Sequence, residues 1–133
     1  MKILHVDADY SQRMVFGIVA EQLGHLMSSM QEPLHQKPTQ FAQYAAETKF
    51  AALVLDRESF AYQGHDVPKD RRETQLLPYL EALTEIYRGV IVVTTTMNDE
   101  IVRDEKVRFP QVSWKHKPLN YQLLLEELAS QRS

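Results

Sequence analysis

Apolar and polar positions along the chain fall into two kinds of segment, which predict a repeating strand and helix unit. Residues 51–55 are consecutive apolar residues that run into Asp56, and residues 90–93 form a second unbroken apolar run that ends at Thr94. A run that is apolar on both faces is typical of a strand in a parallel sheet covered by helices on each side. These two segments therefore predict the central strands of an α/β sheet.

Three shorter segments predict the outer strands. Residues 2–6 form a β-type run that stops at Asp7, residues 25–30 are a weaker candidate, and residues 112–116 end directly before Lys117. Each of these segments has the length of an ordinary strand and is bounded by residues that favour turns. Together with the two central runs, they predict five strands.

Between the strands, apolar side chains recur at helical spacing and predict amphipathic helices. The predicted helices occupy about residues 10–23, 39–48, 76–88, 98–106 and 121–128. Asp9 and Asn98 are expected to cap the first and fourth of them. The regular part of the third helix is expected to start as late as Pro78, because an interior proline removes a backbone hydrogen bond. The fourth has few apolar residues to bury, so we expect it to be the least stable.

Residues 57–70 are polar and rich in turn formers, and we interpret them as an inserted loop. A connection between a strand and a helix usually has about 2–6 residues, so this one is long. The basic residues in and just after it could form a surface for a partner, although a solvated loop is the favoured interpretation. These residues are Arg57, His65, Lys69, Arg71 and Arg72.

A strand followed by a helix, repeated five times, predicts a three-layer α/β fold. Such alternation implies a parallel sheet with right-handed crossovers and helices on both faces. The carboxyl ends of parallel strands meet at one edge of the sheet, where open α/β folds bind their ligands. We therefore expect Asp7, Asp56, Thr94 and Lys117 to lie at the same edge.

Length and composition limit the possible functions. A chain of 133 residues with 44% hydrophobic and 25% charged residues is expected to form one globular domain over residues 1–133. The net charge of −3 gives no reason to expect binding to nucleic acid or to a membrane surface. The chain has no cysteine, which excludes thiol catalysis and disulfides, and no apolar run near ~18 residues. We expect a cytoplasmic location.

The four residues at the strand ends suit phosphoryl chemistry. A carboxylate can accept a phosphoryl group, but its charge repels an anionic donor unless a divalent metal bridges the two. Magnesium is typically held by one or two carboxylates plus water, which Asp7 and Asp56 could provide. The amine of Lys117 and the hydroxyl of Thr94 could contact the phosphoryl oxygens. Each residue also has an ordinary alternative, such as a turn former, a surface lysine or a β-prone threonine.

In the order in which they occur, these segments resemble those of response-regulator receiver domains in two-component signalling. The matching pieces are KILHVDAD, LVLD, VIVVTT and WKHKP. The resemblance implies a flavodoxin-like fold with strand order 2-1-3-4-5. It further implies that Asp56 is the phosphoacceptor, that Thr94 and Lys117 assist it, and that Trp114 is the aromatic residue that moves on activation. The implied partners are a sensor histidine kinase or a phosphotransfer protein, with possible homodimer formation through strand five and the last two helices.

The acidic pocket departs from the family pattern. The resemblance implies a magnesium site made by Asp7, Asp56 and the backbone carbonyl of Glu58, but the second acid that usually follows the first strand is replaced by Ala8. Asp9, one residue further, is a candidate ligand. Two alternatives therefore stay open: a receiver that is phosphorylated on Asp56, and a degenerate receiver that acts through protein contacts without phosphorylation.

A more distant alternative is a phosphatase similar to haloacid dehalogenases. In that case Asp7 would be the nucleophile and Asp9 the general acid. That family also needs an acidic pair on a strand after its lysine, whereas here only Glu126 and Glu127 follow, inside a predicted helix. We therefore expect a phosphoacceptor domain that catalyses at most its own phosphorylation, rather than an enzyme with a separate substrate.

Overall fold

A five-stranded parallel sheet forms the middle layer of the structure, a computed structural model that describes residues 1–33, 36–60 and 75–131. Every neighbouring pair of strands is parallel, and their order is β2-β1-β3-β4-β5. The prediction of a flavodoxin-like sheet is confirmed. The strands are β1 (Lys2–Val6), β2 (Leu26–Met30), β3 (Ala52–Asp56), β4 (Val90–Thr95) and β5 (Ser113–His116).

Five α-helices connect or follow the strands, as the sequence predicts. They are α1 (Tyr10–Gln22), α2 (Pro38–Glu47), α3 (Leu76–Ile86), α4 (Asp99–Arg108) and α5 (Tyr121–Gln131), and a short 3-10 turn at Arg57–Phe60 follows β3. Helix α3 begins at Leu76 rather than at Pro78, which is possible because the amides of a first helical turn have no partner within the helix. Within the described ranges, no helix is long and apolar enough to cross a membrane.

The two faces of the sheet bury separate apolar cores. Leu53 and Leu55 belong to the larger core, which contains side chains of α2 and α3, whereas Ala52 and Val54 belong to the smaller core under α1 and α5. All four side chains are almost completely buried. Because successive residues of a strand point to opposite faces, a strand between two helical layers must be apolar at every position. This explains the unbroken apolar run before Asp56.

Helix α4 is the exception to this apolar packing. Its buried residues are Val102 and Glu105, while Ile101 is partly exposed and Val107 is 73% exposed. Its side chains are absent from both core clusters of the described residues. Apolar burial therefore contributes little to holding this helix on the sheet, and a polar contact described below takes part of that role.

The turn before β4 fixes how the strands next to it begin. The hydroxyl of Tyr87 donates a hydrogen bond to the carbonyl of Phe50 at 2.8 Å, and the Val90 amide donates to Ala51 at 3.1 Å. Gly89 lies so close to this junction that a Cβ atom on it would be 2.8 Å from the Ala51 carbonyl oxygen. These contacts join β3 and β4 at their starts, and the register between them then aligns Asp56 with Thr94 at their ends.

Candidate functional site

The four residues that the sequence places at strand ends converge on one pocket. The amine of Lys117 lies 2.8 Å from Asp56 Oδ1 and 3.1 Å from Asp7 Oδ2. The hydroxyl of Thr94 donates a hydrogen bond to Asp56 Oδ1 at 3.5 Å. Lys117 and Asp7 are 110 positions apart in the chain, so only the parallel topology brings them together. The pocket therefore combines two carboxylates, one ammonium and one hydroxyl.

The register at the end of the sheet positions the lysine. The backbone amide of Lys117 donates to the carbonyl of Thr95, the last residue of β4, at 2.9 Å. This bond continues the pairing of β4 with β5 by one residue beyond His116. Its effect is to direct the Lys117 side chain toward the carboxyl end of β3.

The two carboxyl groups differ in their electrostatics. Burial raises the pKa of Asp56 above its ordinary value, although hydrogen bonds from Lys117 and Ser59 oppose that rise. Burial also acts to raise the pKa of Asp7, but His5, the Asp9 amide and Lys117 outweigh it, and the pKa is lowered. Asp7 is thus the carboxylate that is more firmly ionised, and Asp56 is the one that binds a proton more tightly.

The ammonium group is held in its charged form by the same two acids. Burial acts to lower the pKa of Lys117, but its bonds to Asp56 and Asp7 and the charges of those groups raise it above the ordinary value. When all three groups are ionised, the pocket carries two negative charges and one positive charge. The remaining negative charge favours binding of a cation.

The second oxygen of Asp56 has a partner that the sequence reasoning missed. The hydroxyl of Ser59 donates to Asp56 Oδ2 at 2.6 Å and accepts a hydrogen bond from the Ala8 amide at 2.8 Å. A hydroxyl three residues after a carboxylate in a tight turn was the available signal, because that spacing can return the side chain to the carboxylate.

Asp9 caps helix α1, as expected from its position. Its Oδ1 accepts hydrogen bonds from the amides of Ser11 at 2.9 Å and Gln12 at 3.4 Å. Its own amide donates to Asp7 Oδ1 at 2.9 Å. The backbone of Asp9 therefore contacts the acidic pair, while its side chain satisfies the helix N-terminus. Its role as a metal ligand stays a prediction.

His5 is a further residue of the pocket that the sequence reasoning did not single out. It is 1% exposed, and its Nε2 lies 3.5 Å from Asp7 Oδ2. Its ring packs on Phe16 of α1 with centroids 4.9 Å apart. A polar residue between the apolar residues Leu4 and Val6 of β1 was the signal for it. By contacting Asp7 from inside the protein, His5 helps to keep that carboxylate ionised.

Arg57, directly after Asp56, is buried in a bidentate ion pair. It is 7% exposed, and its Nε and Nη2 atoms donate to the two carboxylate oxygens of Glu105 at 2.7 and 3.0 Å. The interpretation of Arg57 as part of a solvated loop is therefore wrong. The other basic residues proposed with it lie outside the described residues, namely His65, Lys69, Arg71 and Arg72.

Glu58 directs its side chain toward the connection between β4 and α4. Its Oε1 accepts from the amide of Thr96 at 2.6 Å and from the Thr96 hydroxyl at 3.0 Å, and its Oε2 accepts from the hydroxyl of Thr95 at 2.8 Å. The sequence prediction concerned only the backbone carbonyl of Glu58 as a metal ligand, and it stays a prediction. The two residues that follow Asp56 thus contact α4 and the segment leading into it.

Trp114 is half-buried on β5. Its ring packs against the larger core cluster, and its Nε1 donates a hydrogen bond to the Phe109 carbonyl at 3.5 Å. Phe109 immediately follows α4. A movement of α4 would therefore change the surroundings of the indole ring.

The donor set suits a metal that needs few protein ligands. Among the described residues, no group of three or more histidine, aspartate or glutamate side chains could hold a metal ion. Asp7 and Asp56 form a pair bridged by Lys117. Two carboxylates satisfy the usual protein contribution to a magnesium site, where water and phosphate oxygens complete the coordination. The pair therefore fits magnesium.

Comparisons with known proteins agree with this geometry at the level of fold. No family model and no curated protein matches the chain in sequence. Solved structures do match its doubly wound α/β fold. The response regulator receiver protein from Pseudoalteromonas atlantica is 10% identical, with a TM-score of 0.69, covering 100% of both chains. The chemotaxis protein CheY4 of Vibrio cholerae is 18% identical, with a TM-score of 0.65, covering 97% of this chain and 96% of that one.

A third similar structure is a CheY-like response regulator receiver domain protein from Methanospirillum hungatei. It is 14% identical, with a TM-score of 0.66, and the match covers 98% of this chain and 91% of that one. The fold is therefore that of a CheY-like response-regulator receiver domain, over nearly the whole chain.

Proposed function

We propose that this chain is a signalling receiver that accepts a phosphoryl group on Asp56. The donor would be a phosphohistidine on a sensor histidine kinase or a phosphotransfer protein. The observation that carries the proposal is the position of the Lys117 amine, 2.8 Å from Asp56 and 3.1 Å from Asp7, with Thr94 beside the same oxygen. An ordinary surface ion pair needs neither the second acid nor the hydroxyl.

The transfer step is a displacement at phosphorus. A carboxylate oxygen of Asp56 forms a bond to phosphorus while the bond from phosphorus to the histidine nitrogen breaks, and that nitrogen keeps the electron pair. Lys117 and Thr94 supply a cation and a hydroxyl donor for the phosphoryl oxygens. Magnesium, held by Asp7, Asp56 and the backbone carbonyl of Glu58, would offset the charge repulsion between the acids and the donor.

The signal would leave the site through α4, β5 and α5, with Thr94 and Trp114 as the switch residues. The Thr94 hydroxyl would move toward a phosphoryl oxygen, and the next two residues are bonded to Glu58. Arg57 holds α4 through Glu105. A change at Asp56 would therefore act on both connections to α4, biasing a two-state element. The same face could serve a homodimer.

Intact-mass measurement after incubation with magnesium and acetyl phosphate, a small phosphodonor, tests the proposal. We expect one phosphoryl adduct on the wild type and none on Asp56→Asn. The matched control is Asp104→Asn, which changes an exposed acid and should still form the adduct. An unmodified wild type, or an adduct that persists in Asp56→Asn, contradicts the proposal.

A second candidate is a degenerate receiver that acts through protein contacts alone. It is favoured by Ala8 and by the fact that every oxygen of the two acids already has a partner within the protein. A magnesium titration followed by Trp114 fluorescence separates the two candidates. Saturation at about millimolar magnesium supports the phosphorylated receiver, whereas no response over that range supports the degenerate one.

The phosphatase alternative finds little support in the geometry. Glu126 and Glu127 lie within helix α5, so the acidic pair that such enzymes need after the lysine is not on a strand. The Asp9 carboxylate, which would have to act as general acid, is hydrogen-bonded to two backbone amides. We therefore do not propose turnover of a separate phosphate ester.

A further inference from the structure

The hydroxyl of Ser59 connects two loops at the edge of the pocket. It accepts from the Ala8 amide, which follows β1, and donates to Asp56 Oδ2 at the end of β3. Ser59 and Ala8 are 51 positions apart, so this is a tertiary contact and not only local turn chemistry. The Ala8 amide occupies one acceptor site of the hydroxyl, which leaves its proton directed at Asp56.

The two oxygens of Asp56 have different partners. Oδ1 is shared by the Lys117 amine and the Thr94 hydroxyl, whereas the described partner of Oδ2 is Ser59. A cation that binds Asp56 while Lys117 keeps its bond must therefore approach Oδ2. There it meets the proton of Ser59, whose partial positive charge repels it.

We propose that Ser59 is a positioning residue that holds Asp56 Oδ2 in the metal-free protein and competes with magnesium for that oxygen. The proposal rests on the proposed function, in which Asp56 is the phosphoacceptor and magnesium its cofactor. It gives Ser59 a regulatory role, because the strength of its bond to Asp56 sets the magnesium concentration at which the site becomes competent. Ser59→Ala should therefore bind magnesium more tightly than the wild type.

Magnesium titration of three variants, followed by Trp114 fluorescence without any phosphodonor, tests this competition. Loss of a hydrogen bond to a charged group corresponds to about a tenfold change in affinity, so we expect Ser59→Ala to bind magnesium about tenfold more tightly. Ser59→Thr keeps the hydroxyl and should stay within about twofold of the wild type. Ser28→Ala removes an exposed hydroxyl on β2 and is the matched control.

A second readout does not need the metal. Carboxyl carbon NMR of the metal-free protein should show the pKa of Asp56 rising in Ser59→Ala, because the bond from Ser59 acts to lower it. The Asp7 resonance provides the internal reference. A hydroxyl with a merely structural role would leave the pKa of Asp56 unchanged in a variant that is still folded by circular dichroism.

The possible results of the magnesium titration can be told apart. Weaker magnesium binding in Ser59→Ala would make Ser59 a ligand and overturn the proposal, as would unchanged binding or the absence of binding in both proteins. None of these measurements requires phosphorylation. A wild type that fails to form an adduct on Asp56 would thus count against the proposed function alone, while the magnesium and pKa results would still decide the role of Ser59.

Discussion

The guanidinium group of Arg57 and the carboxylate of Glu105 form a buried, two-bonded ion pair between the end of β3 and helix α4. The bonds measure 2.7 and 3.0 Å, and the two residues are 48 positions apart. Val102 is the apolar side chain of α4 that is fully buried, so apolar packing contributes little to holding the helix. The ion pair therefore supplies much of the attachment of α4 to the sheet. The attachment point is the residue next to Asp56. Helix α4 is thus attached to the residue that directly follows the candidate phosphoacceptor.

Breaking this pair should destabilise the protein far more than breaking an exposed one. Glu105→Ala removes both short bonds of the buried Arg57 charge and leaves it only the longer contact with Glu58 at 3.5 Å, so we expect the free energy of unfolding to fall by about 2–4 kcal/mol. Urea unfolding measures the change. The control is Glu81→Ala, which breaks the exposed pair with Arg108 and should cost about 0–1 kcal/mol. Equal losses in the two variants would show that the buried pair does not anchor α4.

Replacing both members of the pair by apolar residues tests whether the charges themselves are needed. The double variant Arg57→Met with Glu105→Leu removes both charges of the buried pair, and such replacements are often neutral or stabilising. Glu58 loses its 3.5 Å contact with Arg57 but keeps its hydrogen bonds to Thr95 and Thr96. We expect it to recover most of the stability lost in Glu105→Ala. If it recovers stability but abolishes the Trp114 response to phosphodonor, the pair is required for coupling. If the response is retained, α4 is coupled to the site by other contacts.

Lys117 should be the main source of electrostatic stability in the pocket. Lys117→Met leaves Asp7 and Asp56 close together without a cation, so the variant should be markedly less stable than the wild type at neutral pH. The deficit should shrink as the pH falls from neutral toward about 4, because burial raises the pKa of Asp56 and the variant has lost the lysine that opposes this rise, so Asp56 takes up a proton and the repulsion disappears. Urea unfolding at both pH values measures it. Arg103→Met, at an exposed position of α4, is the charge-matched control, and a deficit that does not depend on pH would contradict the prediction.

The residues at the ends of strands could be predicted from the sequence because their positions depend on topology alone. Once the apolar runs before Asp7, Asp56 and Thr94 are recognised as parallel strands, one edge of the sheet must contain all three, and Lys117 follows the fifth strand. No side-chain conformation enters this argument. The structure also confirms the strand order, which the resemblance to receiver domains implied, and the Asp9 cap, which the local sequence pattern predicted.

Contacts that depend on side-chain direction across long sequence separations could not be predicted. Arg57 stands in a polar segment whose composition is typical of a loop, and its burial depends on Glu105 appearing on the adjacent face of α4. Ser59 binds the Ala8 amide only because two loops meet in space. Strand β4 continues for two threonines beyond the apolar run, because Thr94 and Thr95 pair with β5. This pairing cannot be read from the local sequence of β4.

The pH dependence of stability should reveal the raised pKa of Asp56. The folded protein binds the Asp56 proton more tightly than the unfolded chain, whose pKa is near 3.8. As the pH rises above that value, the unfolded chain loses this proton first, so ionisation favours unfolding. The wild type should therefore lose stability relative to Asp56→Asn as the pH rises from about 3.8 to the folded pKa, and no further above it.

Urea unfolding of the wild type and Asp56→Asn at a series of pH values, without magnesium, measures this difference. The free energy of unfolding of Asp56→Asn minus that of the wild type should increase with pH across the window. Asp104→Asn should give a smaller, nearly constant difference, because that acid is exposed. A difference that decreases with pH would mean that Lys117 lowers the pKa of Asp56 more than burial raises it.

Removing the charge of Asp9 and removing that of Asp7 should have different effects on the protein. The comparison decides which of the two acids can hold magnesium. Asp9→Ala removes the acceptor for two amides of α1 and should lower the free energy of unfolding by about 1 kcal/mol. Asp9→Asn should restore that stability, because asparagine caps helices equally well, and should leave magnesium affinity within about twofold of the wild type. Asp7→Asn should weaken magnesium binding by at least about tenfold, since it removes one of two carboxylates that face the site. If Asp9→Asn weakens magnesium binding as strongly as Asp7→Asn does, the Asp9 carboxylate must leave the helix N-terminus and bind the metal. It would then take the place of the second acid that Ala8 replaces in this chain.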